Sequence, residues 1–189
     1  RRAGHGEGMT WSEFRIAAAI SRQTLARKCV VLVDRCYWTG HECDVLAVTN
    51  CLRIIDIEVK ISRADLKVDA KKAKWWHRDR WRYDQPEPPR VHRDWPPKVW
   101  KHYVALPADI WADSLLEFMP SPASGVLVVS EQRGLRALAV KCVRRAKPNR
   151  EASVLGPAQV LDIARLANLR MWDAYDARGP DPNPFNWGV

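Results

Sequence analysis

One strand-like segment of the chain has an apolar face and a charged face. Residues 52–61 read LRIIDIEVKI, in which apolar and charged side chains alternate from residue 55 to residue 60. Successive side chains of a β-strand point to opposite faces of the sheet, so the two kinds of residue lie on separate faces. The apolar face carries Ile55, Ile57 and Val59, and the charged face carries Asp56, Glu58 and Lys60.

The rest of the chain alternates helix-like and strand-like segments, which predicts an α/β fold. Apolar runs at 29–38 and from residue 44 to a turn at 49–50 predict two strands before the alternating one, 101–106 predicts another, and 124–147 predicts a hairpin. The predicted order is helix, three strands, helix, insertion, strand, short helix, hairpin and helix. We therefore expect a mixed central sheet of four or five strands, flanked by helices.

Capping patterns mark the predicted helix starts. Thr10-x-x-Glu13 and Ser62-x-x-Asp65 each place an acidic residue three positions after a hydroxyl residue, as in a capping box. The second pattern opens a helix with lysines at 67, 71, 72 and 74, most of which fit a solvated helix face. Gly156-Pro157 opens the last helix. One side of that helix carries Val160, Ile163, Leu166, Ala167 and Met171.

The charged face is a candidate metal site. Mg²⁺ takes one or two protein carboxylates, keeps several waters and binds substrate phosphate oxygens. Asp44 and Glu58, on neighbouring predicted strands, could supply these carboxylates, although Asp44 could also be an ordinary turn residue. Lys60 would reach the same site and orient or activate the attacking water. His41 and Glu42, just before Asp44, fit solvated turn residues better than ligands.

The same residues carry a resemblance to a known family. Asp44, thirteen intervening residues and Glu58-Val59-Lys60 resemble the PD-(D/E)XK nuclease superfamily, in its D…ExK form. The following residues, SRADLKVDAKKAKW at 62–75, are similar to its MmcB-like DNA-repair branch. The strand HYVALP, the strand SGVLVV and the basic segment after it also fit that branch. The resemblance extends from about Thr10 to Arg145, apart from an insertion.

The resemblance implies a restriction-endonuclease-like core and a Mg²⁺-dependent deoxyribonuclease, with Mn²⁺ able to substitute. It implies that Asp44, Glu58 and the carbonyl of Val59 bind the metal. Glu13, on the helix before the first core strand, would assist, although helix capping explains Glu13 equally well. A basic residue after the EVK strand would contact the substrate or catalytic water, and Lys71 or Lys74 is the candidate. DNA is the expected partner, and a homodimer is compatible with the resemblance.

An insertion about 77–99 interrupts the resemblance. The surrounding stretch, residues 75–102, contains five tryptophans and five prolines, which excludes a regular helix or a central strand. Arg78, Arg80 and Arg82 alternate there with aromatic and acidic residues, and such a segment can bind phosphates and stack on bases. The alternative is a loop whose tryptophans pack against the sheet edge or another subunit.

Composition narrows the class of protein. Lys and Arg number 31 against 22 Asp and Glu, and this net charge of +9 favours a polyanionic partner such as DNA. No apolar run is long enough to span a membrane, and the first residues lack a signal-peptide core, so we expect a cytoplasmic protein. The five cysteines then fit reduced thiols. Without a CxxC pair, buried cysteines are favoured over a zinc or iron–sulfur cluster.

The predicted organisation is a loose arm at 1–9, a single nuclease-like domain at 10–178 and an irregular tail at 179–189. Two functions fit this sequence. The first is Mg²⁺-dependent hydrolysis of DNA phosphodiester bonds, in repair, recombination or phage DNA processing. The second is a catalytically inactive DNA-binding or assembly module on the same fold, because a fold does not determine chemistry.

Overall fold

The structure is a computed structural model, and it describes residues 10–77, 90–132 and 137–179. Helices and strands follow the predicted order. The helices are α1 (Glu13–Ile20), α2 (Arg63–Asp69) and α3 (Pro157–Asp176), with a π-helical turn at Ser21–Leu25 and 3-10 helices at Ala73–Trp75 and Asp113–Phe118. The strands are β1 (Cys29–Cys36), β2 (Cys43–Thr49), β3 (Ile54–Val59), β4 (Val99–Pro107), β5 (Gly125–Gln132) and β6 (Ala137–Arg144).

In the described part of the chain the strands form one six-stranded sheet in the order β1-β2-β3-β4-β5-β6. Neighbouring strands are antiparallel except β3-β4 and β4-β5, which are parallel. The expected α/β architecture, a mixed sheet flanked by helices, is confirmed. The expected number of four or five strands was too low, because both strands of the β5-β6 hairpin join the central sheet.

The core on one face of the sheet is apolar, whereas the other face contains buried charge. On the first face α1 packs through Ile16 and Ile20 on a cluster that includes the apolar side of β3. On the second face α3 packs against β1, and its buried residue Ile163 joins a cluster that also contains Leu46 and Val48 of β2. A third apolar cluster covers β4 and β5 through Leu66 and Leu115. The charged side of β3 lies on this second face.

The helix starts match the sequence patterns in part. Ser62 caps α2, and its Oγ accepts a hydrogen bond from the Asp65 N–H at 3.1 Å. The cap of α1 is Ser12 and not Thr10, and its Oγ accepts from the Arg15 N–H. The side of α3 that was expected to pack does so through Val160, Ile163, Leu166 and Ala167, whereas Met171 is exposed.

Three predicted segments fall outside the described residues. These are the arm at 1–9, the irregular tail apart from Gly179, and the larger part of the insertion. Of the insertion, residues 90–98 lead into β4, and Trp76 and His92 form an isolated antiparallel bridge. Within the described ranges no helix is both long and apolar enough to cross a membrane.

Candidate functional site

Asp44 and Glu58 lie on neighbouring strands. Val45 pairs with Ile57 in the antiparallel β2-β3 ladder, so Asp44 lies opposite Glu58, one position further along. Asp44 Oδ2 accepts a hydrogen bond of 2.7 Å from the Val59 N–H. Lys60 Nζ donates to Glu58 Oε2 at 2.9 Å. The structure therefore brings together the three residues that the sequence motif singles out.

Glu58 belongs to a larger set of paired charges on the second face of the sheet, which we call the buried ion network. Its members in the described part of the chain are Asp56, Glu58, Lys60, Asp69, Lys72 and Lys74. Lys72 Nζ lies 3.3 Å from Glu58 Oε2, and Lys74 Nζ contacts Glu58 Oε1. Both carboxylate oxygens of Glu58 are thus engaged by ammonium groups.

Asp69, at the end of α2, is a second carboxylate of the network that forms ion pairs with two of its lysines. Its Oδ1 lies 3.0 Å from Lys60 Nζ and 2.9 Å from Lys72 Nζ. Its side chain is fully buried, whereas that of Lys72 is 45% exposed. Lys72 is therefore the network lysine with access to solvent, because the side chains of Lys60 and Lys74 are each only 3% exposed.

Burial and pairing act in opposite directions on the carboxylates of the network. Burial and the charge of Asp56 raise the pKa of Glu58, but Lys74 and Lys60 outweigh them and leave the pKa below its usual value. Burial likewise raises the pKa of Asp69, yet the neighbouring Lys60, Lys74 and Lys72 lower it to about 2. These carboxylates stay ionised at neutral pH because ammonium groups surround them.

Lys60 shows the corresponding effect for a cation. Burial lowers its pKa, whereas Glu58 and Asp69 raise it, and the net shift is upward from the usual 10.5. Lys60 is therefore an ammonium ion at neutral pH. It can donate hydrogen bonds and stabilise negative charge, but it cannot accept a proton.

Asp44 differs from the network carboxylates because burial and repulsion together outweigh the groups that stabilise its charge. Burial and the charge of Glu58 raise its pKa to about 6, despite the hydrogen bond from Val59 and the charge of Lys60. Glu13, the exposed first residue of α1, adds to this repulsion. Carboxylates from two other elements therefore raise the pKa of Asp44, an effect that a bound divalent cation would offset.

Two buried residues lie next to the network and were not among the site residues predicted from sequence. His102, on β4, pairs with Asp56 in the parallel β3-β4 ladder. Its Nδ1 lies 2.9 Å from Ser124 Oγ, and burial lowers its pKa to about 4, so the ring is neutral. Trp75 is fully buried, and its Nε1 donates to Asp69 Oδ2 at 3.4 Å. His102 is a polar residue in a largely apolar strand, and Trp75 begins the tryptophan-rich stretch for which packing against the sheet edge was one of the two alternatives.

The turn before β2 corrects the prediction for His41. Its side chain is only 11% exposed, and its Nε2 lies 3.1 Å from Asp56 Oδ2. The same Nε2 lies 3.7 Å from Cys43 Sγ. The side chain of His41 is thus largely buried beside the ion network and is not that of a solvated turn residue, because the turn folds back over the start of β2. Glu42 is exposed, as expected.

Two of the lysines after Ser62 join the ion network, whereas one candidate, Lys71 or Lys74, was predicted from sequence. Helix α2 ends at Asp69, and the chain then turns into the 3-10 helix at Ala73–Trp75. This early end directs Lys72 and Lys74 into the ion network, while Lys71 stays exposed. Of the two candidates, Lys74 joins the site and Lys71 does not. Arg78, Arg80 and Arg82 lie outside the described residues, so their contact with DNA stays a prediction.

A groove with a volume of about 790 Å³ lies between the described end of the insertion and the loop that follows β6. Basic and acidic side chains both line it, and the basic ones are His77, His92, Arg93, Lys98, Lys147 and Arg150. Arg93 Nε is buried and has no hydrogen-bond partner among the described residues. The ring of His92 lies parallel to that of Trp75, with 6.1 Å between centroids. Trp75 thereby links the groove to Asp69.

All five cysteines lie within the described ranges and are free thiols. Cys36 and Cys43 are buried, as expected for small apolar residues, and Cys51 and Cys142 are exposed. Burial raises the pKa of the Cys43 thiol, and the charge of Asp56 raises it further. A cluster of several cysteines does not form in this part of the chain, although Cys43 lies beside His41 and Asp56.

Comparison with known proteins bears on the fold. No protein-family model matches the sequence, and no curated protein matches it. Among solved structures, the chain is similar to the SPO1766 protein of unknown function from Silicibacter pomeroyi. The two share 21% sequence identity over 92% of this chain and 97% of that chain, with a TM-score of 0.57. This similarity shows a shared α/β fold, whose mixed sheet is consistent with a restriction-endonuclease-like core.

Proposed function

We propose that the protein is a Mg²⁺-dependent deoxyribonuclease whose reaction centre is formed by Asp44, Glu58 and Lys60. The observation that carries the proposal is that Asp44 and Glu58 lie opposite each other on β2 and β3, with the Lys60 ammonium bonded to Glu58. Two carboxylates and a permanent cation are the groups that phosphodiester hydrolysis with a hard metal ion needs.

The donor set fits Mg²⁺. Asp44 and Glu58 offer carboxylate oxygens, and the resemblance adds the carbonyl of Val59. The pKa of Asp44 is raised by burial and by Glu58 because the Val59 N–H and Lys60 offset these effects only in part, and a bound divalent cation would offset them further. Lys72 competes for Glu58, and its partly exposed side chain can move away. The metal ion, when bound, would polarise the scissile phosphate and lower the pKa of a coordinated water.

The protein's own residues have separate roles in this proposal. Lys60 donates a hydrogen bond to the water or stabilises charge on the phosphate, because its raised pKa excludes a role as a base. Asp69, 3.0 Å from the Lys60 ammonium, helps to hold it beside Glu58. Glu13 adds negative charge close to Asp44. Lys74 positions Glu58 and does not reach the surface.

The experiment that tests the proposal is a cleavage assay on labelled single-stranded, duplex and branched DNA. Purified protein is incubated with Mg²⁺, with Mn²⁺ or with EDTA. We expect cleavage of at least one substrate with either metal and none with EDTA. Binding of DNA without cleavage under every condition would refute the nuclease proposal.

The affinity for Mg²⁺ should rise with pH because protons and metal compete for Asp44. With a pKa of about 6, Asp44 is mostly protonated at pH 5 and mostly ionised at pH 7. We therefore expect binding about tenfold weaker at pH 5 than at pH 7, measured by isothermal titration calorimetry with Mg²⁺. An Asp44→Asn variant, which cannot titrate at this position, should show weak binding with a flat profile. An equally steep profile in that variant would assign the dependence to another group.

DNA is proposed to bind in the groove beside Trp75. Replacing Lys147 and Arg150 by Ala should weaken DNA binding and reduce the slope of log affinity against log salt by about 1.4–1.8, because each phosphate contact contributes about 0.7–0.9. The matched control is Arg165→Ala with Arg178→Ala, which removes the same charge from α3 and the turn after it, where both residues are exposed. Equal losses of DNA affinity in both double variants would indicate a general effect of net charge and would argue against DNA binding in the groove.

A second candidate function is DNA binding or assembly without cleavage. The observation that favours it is the engagement of both Glu58 oxygens by Lys60, Lys72 and Lys74, which leaves that carboxylate stably paired without a metal. A protein of this kind would bind DNA equally well in EDTA and in Mg²⁺. A homodimer and a cytoplasmic location stay predictions under either function.

A further inference from the structure

We infer that His41, Cys43 and Asp56 form a second metal site, which takes a divalent transition metal of the Zn²⁺ type and not Mg²⁺. The three residues offer one ring nitrogen, one sulfur and one carboxylate oxygen, and these atoms lie within 4.8 Å of one another. A thiolate and an imidazole are ligands that Zn²⁺ prefers, whereas Mg²⁺ prefers oxygen. The site is therefore chemically distinct from the one proposed at Asp44 and Glu58.

Two of the three distances between ligand atoms already approach those of a tetrahedral site. Zn–N and Zn–O bonds of about 2.0–2.2 Å and a Zn–S bond of about 2.3 Å place ligand atoms roughly 3.3–3.6 Å apart at tetrahedral angles. His41 Nε2 lies 3.1 Å from Asp56 Oδ2 and 3.7 Å from Cys43 Sγ. Shifts of a few tenths of an ångström would bring these two edges to the ideal values.

An unpaired oxygen of Asp56 is an independent indication that a cation binds at this cluster. Asp56 is fully buried, and its Oδ1 has no hydrogen-bond partner among the described residues. Such a buried carboxylate oxygen costs free energy unless a donor or a cation satisfies it. Asp56 Oδ2 already faces His41, so the group that satisfies Oδ1 would lie next to the same cluster.

The local fold holds the ligands in place. Cys43 is the first residue of β2 and Asp56 lies within β3, the neighbouring strand. His41 reaches them because a tight turn, closed by the Gly40 N–H bonded to the Tyr37 carbonyl at 2.9 Å, folds over the strands. Gly40 has a φ of +95°, which favours glycine there. Thr39 Oγ1 lies 3.5 Å from Cys43 Sγ and encloses the cluster further.

Binding would convert the Cys43 thiol to a thiolate and release its proton to solvent. His41 would be neutral and would bind the metal through Nε2. A water would complete four ligands, as in sites with three protein ligands. Such an ion would fix the turn at residues 37–42 against β3. Since Asp56 also contacts Lys74 at 3.6 Å, Asp56 would connect the ion to the buried ion network.

The test is a titration of EDTA-treated, dialysed protein with Co²⁺, followed by absorption. We expect about one equivalent of bound Co²⁺, with the near-ultraviolet thiolate-to-cobalt charge-transfer band and the visible bands of a tetrahedral ion. Addition of Zn²⁺ should bleach both, since Zn²⁺ binds such sites more tightly than Co²⁺. The inference would be overturned if the parent protein bound no Co²⁺, or if its Co²⁺ spectrum lacked the thiolate charge-transfer band.

Two variants assign the site. Cys43→Ser changes one atom of a buried side chain and should remove the charge-transfer band and weaken Co²⁺ binding at least about 100-fold, beyond the 10–100-fold effect of losing an outer partner. Cys142→Ser is the matched control, because it removes an exposed thiol elsewhere, and it should bind as the parent does. Parent-like binding by Cys43→Ser, or loss of the band in Cys142→Ser, would contradict the assignment.

Asp44→Asn separates this inference from the proposed nuclease. The variant lacks a ligand of the proposed Mg²⁺ site but keeps His41, Cys43 and Asp56, so its Co²⁺ spectrum should equal that of the parent. If the protein cleaves no DNA yet shows the band, the nuclease proposal fails and the second site stands. If it cleaves DNA with Mg²⁺ but never shows the band, the reverse holds.

Discussion

We expect Asp44→Asn to lower Mg²⁺-dependent DNA cleavage by at least about 100-fold while the protein stays folded. Asparagine removes the negative charge that the metal needs, but its side-chain oxygen can still accept the 2.7 Å hydrogen bond from the Val59 N–H. Circular dichroism and thermal unfolding report the fold, and initial rates on labelled DNA report the chemistry. This variant therefore separates loss of function from loss of structure.

The stability of Asp44→Asn follows from the sign of the pKa shift. The folded-state pKa of Asp44 is raised to about 6 from the usual 3.8, chiefly by burial and by Glu58. Ionisation of Asp44 thus lowers the stability of the folded state as pH rises through this range. At pH 8 the variant, which lacks that charge, should unfold at the same temperature as the parent or above it.

The control for Asp44→Asn is Asp162→Asn, which changes an exposed carboxylate on α3 and should leave cleavage and stability unchanged. A folded Asp44→Asn protein that cleaves within about threefold of the parent would remove Asp44 from the mechanism. A parent that cleaves no DNA would leave the binding module as the function to test.

Glu58→Gln should have the largest effect on stability. Glu58 is 1% exposed and faces Lys60, Lys72 and Lys74. Removing one partner of a buried ion pair leaves uncompensated charge and typically costs about 3–5 kcal/mol. For a chain of this size that corresponds to a fall of roughly 6–20 °C in the unfolding temperature. Loss of cleavage in Glu58→Gln would consequently be ambiguous, which makes Asp44 the better target.

Two further variants test the origin of this effect. Glu117→Gln removes a carboxylate at an exposed position and should change the free energy of unfolding by about 0.5 kcal/mol or less. Combining Glu58→Gln with Lys74→Met should cost less than the sum of the single changes, because the buried ammonium is removed together with its partner. Additive losses would show that the pair does not interact, and a Glu58→Gln protein as stable as the parent would contradict the buried ion network.

Much of the fold could be predicted from local patterns. The alternation in β3 assigned Ile55, Ile57 and Val59 to one face, and Ser62 was recognised as the cap of α2. These features depend on neighbours within a few residues, so a short stretch of sequence contains them. The Thr10 cap was wrong because Thr10 and Ser12 both precede the same apolar pattern, and only the backbone path selects Ser12.

The sequence predicted the part of the candidate site that lies on β3 and on the strand before it. Glu58 and Lys60 are two residues apart, so the period of a strand places them together, and Asp44 follows from pairing with the preceding strand. Most of the lysines after Ser62 were interpreted as a solvated helix face, because a continued helix would expose them, and only Lys71 or Lys74 was named as a candidate for the site. The structure ends α2 at Asp69 and turns the next residues inward.

The sequence by itself determined the order of the strands along the chain, the apolar and charged faces of β3 and the triad of Asp44, Glu58 and Lys60. Only the tertiary structure decided which charges are buried and with which partners. It brought His41, His102 and Asp69 to the site from three separate segments. The physical reason is that burial and ion pairing depend on distances across the sheet and its crossovers, which no local periodicity encodes.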